Sequence, residues 1–177
     1  ASSDLPYRKM ITWAGFYRDF YLVDLNTGRK IPLLSQQSSS EEPTLSPDEK
    51  FVAYYLHGNV FLYEVAQDRR TNITKSLGVS FANEDHDYPS NAPSYGVGPW
   101  VKGDAGLLIY DKYDIWQVNT ISHDAFTLTA GEGRKHGVQY RVTGLVEDKN
   151  KPAVLKNDEK VLLHGYSVVT KGDGFYQ

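Results

Sequence analysis

Apolar and polar positions change rhythm every few residues along this chain, most clearly in SPDEKFVAYYLHGNVFLYEV, Ser46 to Val65. A polar turn leads into the run Phe51–Leu56, a His-Gly-Asn turn follows, and a second run closes the stretch. Within Phe51–Leu56 apolar side chains occupy both parities, so both faces of that strand are expected to be covered. The same holds for GLLIY, Gly106–Tyr110. Pro47 presets φ for the first turn and Asp48 can accept backbone hydrogen bonds in it. Elsewhere Gly and Pro punctuate the chain, β-branched and aromatic residues fill the gaps, and helical spacing is hard to find. Strands are therefore predicted throughout.

The pattern repeats. DFYLVDLNTGRKIPLL (Asp19–Leu34) aligns without a gap on NVFLYEVAQDRRTNIT (Asn59–Thr74), and that segment aligns on DIWQVNTISHDAFTLT (Asp114–Thr129). PTLSPDEKFVAY (Pro43–Tyr54) lies over PWVKGDAGLLIY (Pro99–Tyr110), with Pro, Asp and Tyr coinciding. KNDEKVLLHGYS (Lys156–Ser167) begins the pattern again, and DGFYQ (Asp173–Gln177) reads as the opening of the following strand. Four antiparallel strands per repeat of about 40 residues, stacked face to face, make the blade of a β-propeller. The expected fold is all-β, a partial β-propeller of about three to four blades over residues 10–34, 42–74, 98–129 and 138–177, with a loop inserted at 75–97. A β-sandwich of unrelated hairpins would explain the strand density but not the gapless registers.

With 177 residues, 40% hydrophobic and 13% aromatic, the chain can bury one sizeable core, and 23% charged residues argue against disorder. A net charge of −3 with no basic stripe gives a nucleic-acid partner no electrostatic support. The absence of cysteine excludes disulfides and thiolate zinc sites. No apolar run approaches the ~18–20 residues that cross a bilayer, and ASSDLPYRK has no signal-peptide core. A soluble chain is expected.

At this level of detail a resemblance enters. SPDEKFVAYY…NVFLYEV…NIT resembles the propeller repeats of TolB and of the prolyl oligopeptidase family of serine peptidases. FANEDHDYPSNAPSYGVGPW (Phe81–Trp100), LLIYDKYDIWQV (Leu107–Val118) and LTAGEGRK (Leu128–Lys135) are similar to the propellers of large Bacteroidetes peptidases of the dipeptidyl or acylaminoacyl type in that family. Those carry an acidic insert ending in Tyr-Gly, a Tyr-Asp-x-Tyr-Asp-Ile-Trp strand pair and a Leu-Thr-x-Gly-x-Gly-Arg-Lys segment. The resemblance implies a periplasmic or secreted protein whose propeller sits against an α/β-hydrolase domain of the same polypeptide and shapes the entrance for peptide substrates, while a Ser-Asp-His triad in that other domain cuts them. GYSVV (Gly165–Val169) lacks the final Gly of a nucleophile elbow, so this chain is expected to be non-catalytic and to hold no cofactor.

Strand alternation places the second-to-third turns LHGN (Leu56–Asn59) and DKYD (Asp111–Asp114) on the same rim as the insert, and the SPDEK, KGDAG and NTGRK turns on the opposite one. Long loops inside compact domains are more often functional than decorative. The candidate rim facing substrate or the hydrolase domain is therefore His57, Asn59, Glu84, Asp85, His86, Asp87, Tyr88, Tyr95, Lys112 and Tyr113. NEDHD (Asn83–Asp87) could suit a hard cation, but it has no regular ligand spacing and reads better as a solvated loop. The other histidines are scattered, so no metal site is expected. The pair Glu41–Glu42 precedes a first strand rather than lying in a helical insertion, and the substrate-anchoring role of paired glutamates is not carried over. GRKHG (Gly133–Gly137) reads as a surface turn, and Trp100 and Trp116 as packing between blades. The alternative is a TolB-like propeller module that binds an envelope protein or a glycan with no hydrolase attached. Uncovered terminal faces predict self-association, with a homodimer the simplest form.

Overall fold

The fold is taken from a computed structural model that describes residues 1–10, 15–144, 153–156 and 160–177. Positions 11–14 of the first expected blade and 157–159 of the turn read from KNDEK lie outside the described residues. Four sheets follow one another along the chain. The first joins β1 (Ser2–Ser3), β2 (Tyr17–Val23) and β3 (Lys30–Ser38). The second joins β4 (Thr44–Leu45), β5 (Phe51–Leu56), β6 (Asn59–Glu64) and β7 (Arg69–Asn72) in sequence order, all antiparallel. The third contains β8 (Val97–Val101), β9 (Gly106–Tyr110), β10 (Ile115–Asn119) and β11 (Ala125–Thr127). After a short helix α1 (Glu132–His136), β12 (Val138–Val142) opens the fourth sheet, β13 (Val154–Leu155) departs from it, and β14 (Leu163–Ser167) and β15 (Asp173–Tyr176) complete it in the order β12-β14-β15.

Strand parity explains why the sheets stack. Along β5, Val52 and Tyr54 pack with Phe20, Leu33 and Leu34 of the first sheet, whereas Phe51, Ala53 and Tyr55 pack with Trp100, Leu107 and Ile109 of the third. Along β9, Leu107 and Ile109 join that second-to-third core, whereas Leu108 and Tyr110 pack with Leu155, Tyr140, Val142 and Leu163. Each middle strand thus contributes alternate side chains to two separate cores. A stack of twisted antiparallel sheets, the second and third each covered by a neighbour on both faces, is a partial β-propeller.

Two departures from the expected blade are informative. GRKHG is not a simple surface turn: with Glu132 it forms α1, closed by Gly137 at φ 65° with its N–H donating to Gly133 O. Its three basic residues, Arg134, Lys135 and His136, fall in the last turn, where they complement the helix dipole. The second departure is β13, which pairs parallel to β8, Val154 opposite Trp100 and Leu155 opposite Val101, giving the third sheet a fifth strand.

Polar groups tie the sheets together on the rim opposite the insert. Asp104, 2% exposed, accepts the Ser46 hydroxyl at 2.6 Å and the Asp48 N–H at 3.1 Å, while its own carbonyl accepts Thr120 Oγ1. The KGDAG turn of the third sheet is therefore fastened to the SPDEK turn of the second.

The away-facing side of the first sheet is partly covered. Asp19 on β2 accepts Tyr7 Oη at 2.5 Å, Tyr21 Oη at 3.3 Å and the Gln36 N–H at 3.0 Å, and Tyr7 lies edge-on to Tyr17. These donors, the Tyr7 hydroxyl first, hold the Asp19 carboxyl below its ordinary value. A depressed carboxyl stabilises the fold fully above its unfolded value and loses that contribution as pH falls through the folded value. The Gln36 amide resonance should accordingly titrate with a midpoint below the ordinary aspartate range, and Asp19→Asn should abolish the titration.

Candidate functional site

The loop between β7 and β8 is built as a braced arm. Phe81, 1% exposed, plugs its base into the core between the second and third sheets and lies edge-on to Trp116 at 6.3 Å. Just beyond, Ala82 bridges Ser94, the Asn83 N–H donates to Pro93 O at 2.7 Å, and the Tyr95 N–H donates to Phe81 O at 3.1 Å. The Asn83 side chain accepts the Asp85 N–H at 3.0 Å, an Asx turn that starts the tip.

The arm is pinned on both flanks. Glu41, in the connection from β3 to β4, accepts the Ser94 N–H at 2.7 Å and the Ser94 hydroxyl at 2.8 Å. Tyr55 Oη donates to Ala92 O at 2.9 Å. On the other flank Lys112 Nζ meets Asp85 Oδ1 at 2.7 Å, and that carboxylate raises the lysine above its ordinary value. Tyr95 Oη accepts the Glu84 N–H at 2.8 Å, and burial pushes the phenol up. Loops with this many fixed backbone partners hold their shape.

Between the arm and the ends of β3 and β5 lies a cleft of about 180 Å³, bordered by Tyr17, Gln37, Glu41, Tyr55, His57 and His86 among others. His57 sits in the β5–β6 turn at φ 47°, and His86 Nε2 is 3.0 Å from Ser90 Oγ with its ring 5.6 Å from that of Tyr88. Asn59 braces the same turn, donating to His57 O at 3.2 Å and accepting the Thr74 hydroxyl at 3.3 Å. Of the ten rim residues read from the sequence, His57 and His86 share this cleft. Asp85 meets Lys112, Glu84 meets Tyr95, and Tyr113 lies 5.3 Å beneath the Arg134 guanidinium on the third-sheet side. Asp87 and Tyr88 stand at the exposed tip, Tyr88 at 71%. Glu41 and Tyr55, which fix the arm, were not among the ten. Glu41 bonds a residue 53 positions away, and no local pattern announces that.

The YDKYDIW and LTAGEGRK segments form one buried network. Asp111, 1% exposed, accepts the N–H groups of Tyr113 and Asp114 at 2.6 and 2.8 Å and Trp116 Nε1 at 3.0 Å, and pairs with Arg134 at 3.3 Å. Asp114, 2% exposed, accepts the Thr129 hydroxyl at 2.6 Å and the N–H groups of Gly133 and Arg134 at 3.0 and 3.1 Å. From β12, Arg141 reaches back to donate to Asp111 O at 3.0 Å and lies over the rings of Tyr110 and Tyr95 at 4.9 and 5.8 Å. Burial pushes its guanidinium below the ordinary value. These charges are consumed in holding turns, α1 and the third and fourth sheets together.

The rim thus offers hydrogen-bonding and aromatic groups on a fixed support. Among the described residues no group of three or more His, Asp or Glu is placed to hold a metal ion, and no described helix is long and apolar enough to cross a membrane.

Residues 9–135 match the family model for the dipeptidyl peptidase IV (DPP IV) N-terminal region. No match was found among the curated proteins. Among solved structures, TolB from Acinetobacter baumannii superimposes with a TM-score of 0.40 at 12% identity, over 88% of this chain and 36% of that one. The chain therefore spans little more than a third of that protein's length.

Proposed function

The chain belongs to the dipeptidyl peptidase IV N-terminal region family, and from that premise we propose that it positions and admits peptide substrates for an α/β-hydrolase domain of the same polypeptide. The parent is then a serine peptidase, periplasmic or secreted, and this propeller segment is its non-catalytic part. The observation that supports the reading is the braced arm: Glu41, Tyr55, Lys112 and the Ala82–Ser94 bridge hold it rigid, while Asp87, Tyr88 and the cleft beneath remain open to a partner. A rigid rim loses little freedom on binding, which favours recognition.

The test is to replace residues 83–93 by Gly-Gly in the complete polypeptide. This leaves Phe81 in its core and keeps the Ala82–Ser94 closure short. The expected result is normal folding with peptide selectivity altered by about tenfold or more in kcat/KM. Unchanged selectivity together with unchanged docking of the hydrolase domain would overturn the reading.

Among the described residues the fourth sheet carries an uncovered face. Phe175 is 70% exposed beside His164, whose ring lies 5.8 Å away, and β15 has an unpaired edge among the described strands. The isolated chain should therefore self-associate through that face, a two-fold dimer being the simplest closed form. Light scattering that shows a strict monomer at high concentration would count against it.

A further inference from the structure

The floor of the rim cleft is made by Gln37 on β3 and Tyr55 on β5, each 6% exposed. Gln37 Nε2 donates to Tyr55 O at 2.8 Å and to Glu41 O at 3.3 Å. Both amide hydrogens are thereby used, and turning the amide over would set its oxygen against two carbonyls. Its orientation is fixed. Among the described residues no donor meets Gln37 Oε1, and no buried side-chain oxygen or nitrogen lacks a partner. Oε1 therefore opens onto the cleft as a preset acceptor. The walls beside it are flat or apolar, formed by the Tyr17 ring, Leu56 and Pro93. Glu41 brings a carboxylate to the lining, with its oxygens turned to the Ser94 N–H and hydroxyl. At about 180 Å³ the cleft is smaller than sites that enclose a whole small molecule, about 300–1,000 Å³, and suits a single side chain.

We propose that this cleft is a side-chain subsite selective for an aromatic ring that carries a hydrogen-bond donor, tyrosine or tryptophan, with Gln37 as the specificity-determining residue. The proposal rests on the reading of this chain as a peptidase propeller. The ring lies against Leu56, Pro93 and Tyr17, and its O–H or N–H donates to Gln37 Oε1. Phenylalanine fills the same space but leaves the acceptor unpaired, which is how polar sites reject analogues that lack the polar group. Aspartate and glutamate would bring a negative charge to an acceptor and to Glu41, so they are refused. Lysine offers donors, but its strongly hydrated charge would lose water in a partly apolar cleft.

The experiment uses the complete polypeptide and peptides identical except at one position, which holds tyrosine, O-methyltyrosine, phenylalanine or lysine and is moved along the peptide. At one position kcat/KM for tyrosine should exceed that for each of the other three by about tenfold. O-Methyltyrosine keeps the ring and its oxygen and lacks only the donor. In Gln37→Met the preference for tyrosine over O-methyltyrosine should disappear. In Tyr55→Phe, which frees Ala92 O but keeps the main-chain carbonyl that orients Gln37, it should persist. A loosened arm by itself would slow both substrates together and leave the ratio unchanged. Loss of the ratio in both variants would assign it to the arm and overturn the role of Gln37. Equal rates for tyrosine and O-methyltyrosine at every position in the unsubstituted protein, or a preference for lysine, would overturn the subsite whether or not the variants fold. If no peptide is cut, the peptidase reading fails, and the subsite is then read by binding. N-acetyltyrosinamide should shift the Gln37 side-chain amide resonances and bind about tenfold tighter than N-acetyl-O-methyltyrosinamide. Equal affinities would rule the subsite out.

Discussion

Trp100→Ala should destabilise the chain by about 3–5 kcal/mol, the range for removing a fully buried large aromatic side chain. Trp100 is 0% exposed and lies in the core that joins the second and third sheets, with Phe51, Ala53, Leu107, Ile109 and Phe81. Its neighbours cannot collapse freely into the void, because β8 is held on one side by β9 and on the other by β13. The substitution also strands Thr44 Oγ1 without its indole donor. Trp100→Phe separates the two contributions: it keeps most of the apolar volume, and losing the indole–hydroxyl bond alone should cost about 1 kcal/mol. Urea unfolding at low protein concentration measures both. A loss below about 1 kcal/mol for the alanine variant would mean the two sheets are not held together by this core.

Gly133→Ala is the second large effect. A Cβ at Gly133 would lie 2.7 Å from Tyr113 O, 2.8 Å from Asp114 Oδ1 and 2.8 Å from Val138 O. Two of these are backbone atoms, fixed by the β9–β10 turn and by β12, so neither can move aside cheaply. We expect a cost of about 2–3 kcal/mol from overpacking, together with loosening of α1, whose Gly133 and Arg134 N–H groups are capped by the carboxylate that would be displaced. Asp114→Ala should cost a comparable amount, about 1–3 kcal/mol, by leaving buried donors unpaired. Because both changes break the same junction, the double variant should be less destabilised than the sum of the singles. Additive losses in urea unfolding would show that helix and turn are independent.

These residues show what could be read from the sequence and what could not. Apolar side chains at both parities in Phe51–Leu56 and Gly106–Tyr110 announced strands covered on two faces, and the cores confirm it residue by residue. The gapless alignments fell on corresponding strand pairs, β2–β3, β6–β7 and β10–β11, because turn chemistry fixes register locally. β13 was invisible: two apolar residues in a polar stretch carry no periodicity, and their partner strand lies far back in the chain. The five-residue α1 was equally silent, being too short for a helical stripe, although its flanking glycines and the acidic-to-basic order from Glu132 to His136 are helix-end signals in hindsight. For the rim, topology pointed to loops but not to the couplings between them. Asp85 finds Lys112 across 27 positions, and only folding brings the two together.

The donation of β13 to a neighbouring sheet also bears on how this chain can be cut. A truncation after Thr129 would look clean by repeat arithmetic, yet it would strip the third sheet of its outermost parallel partner and leave the Trp100 amide with no acceptor. Successive repeats here are interlocked rather than modular, so a well-behaved shorter fragment has to retain residues through Leu155 even when the sheet they were counted with is discarded.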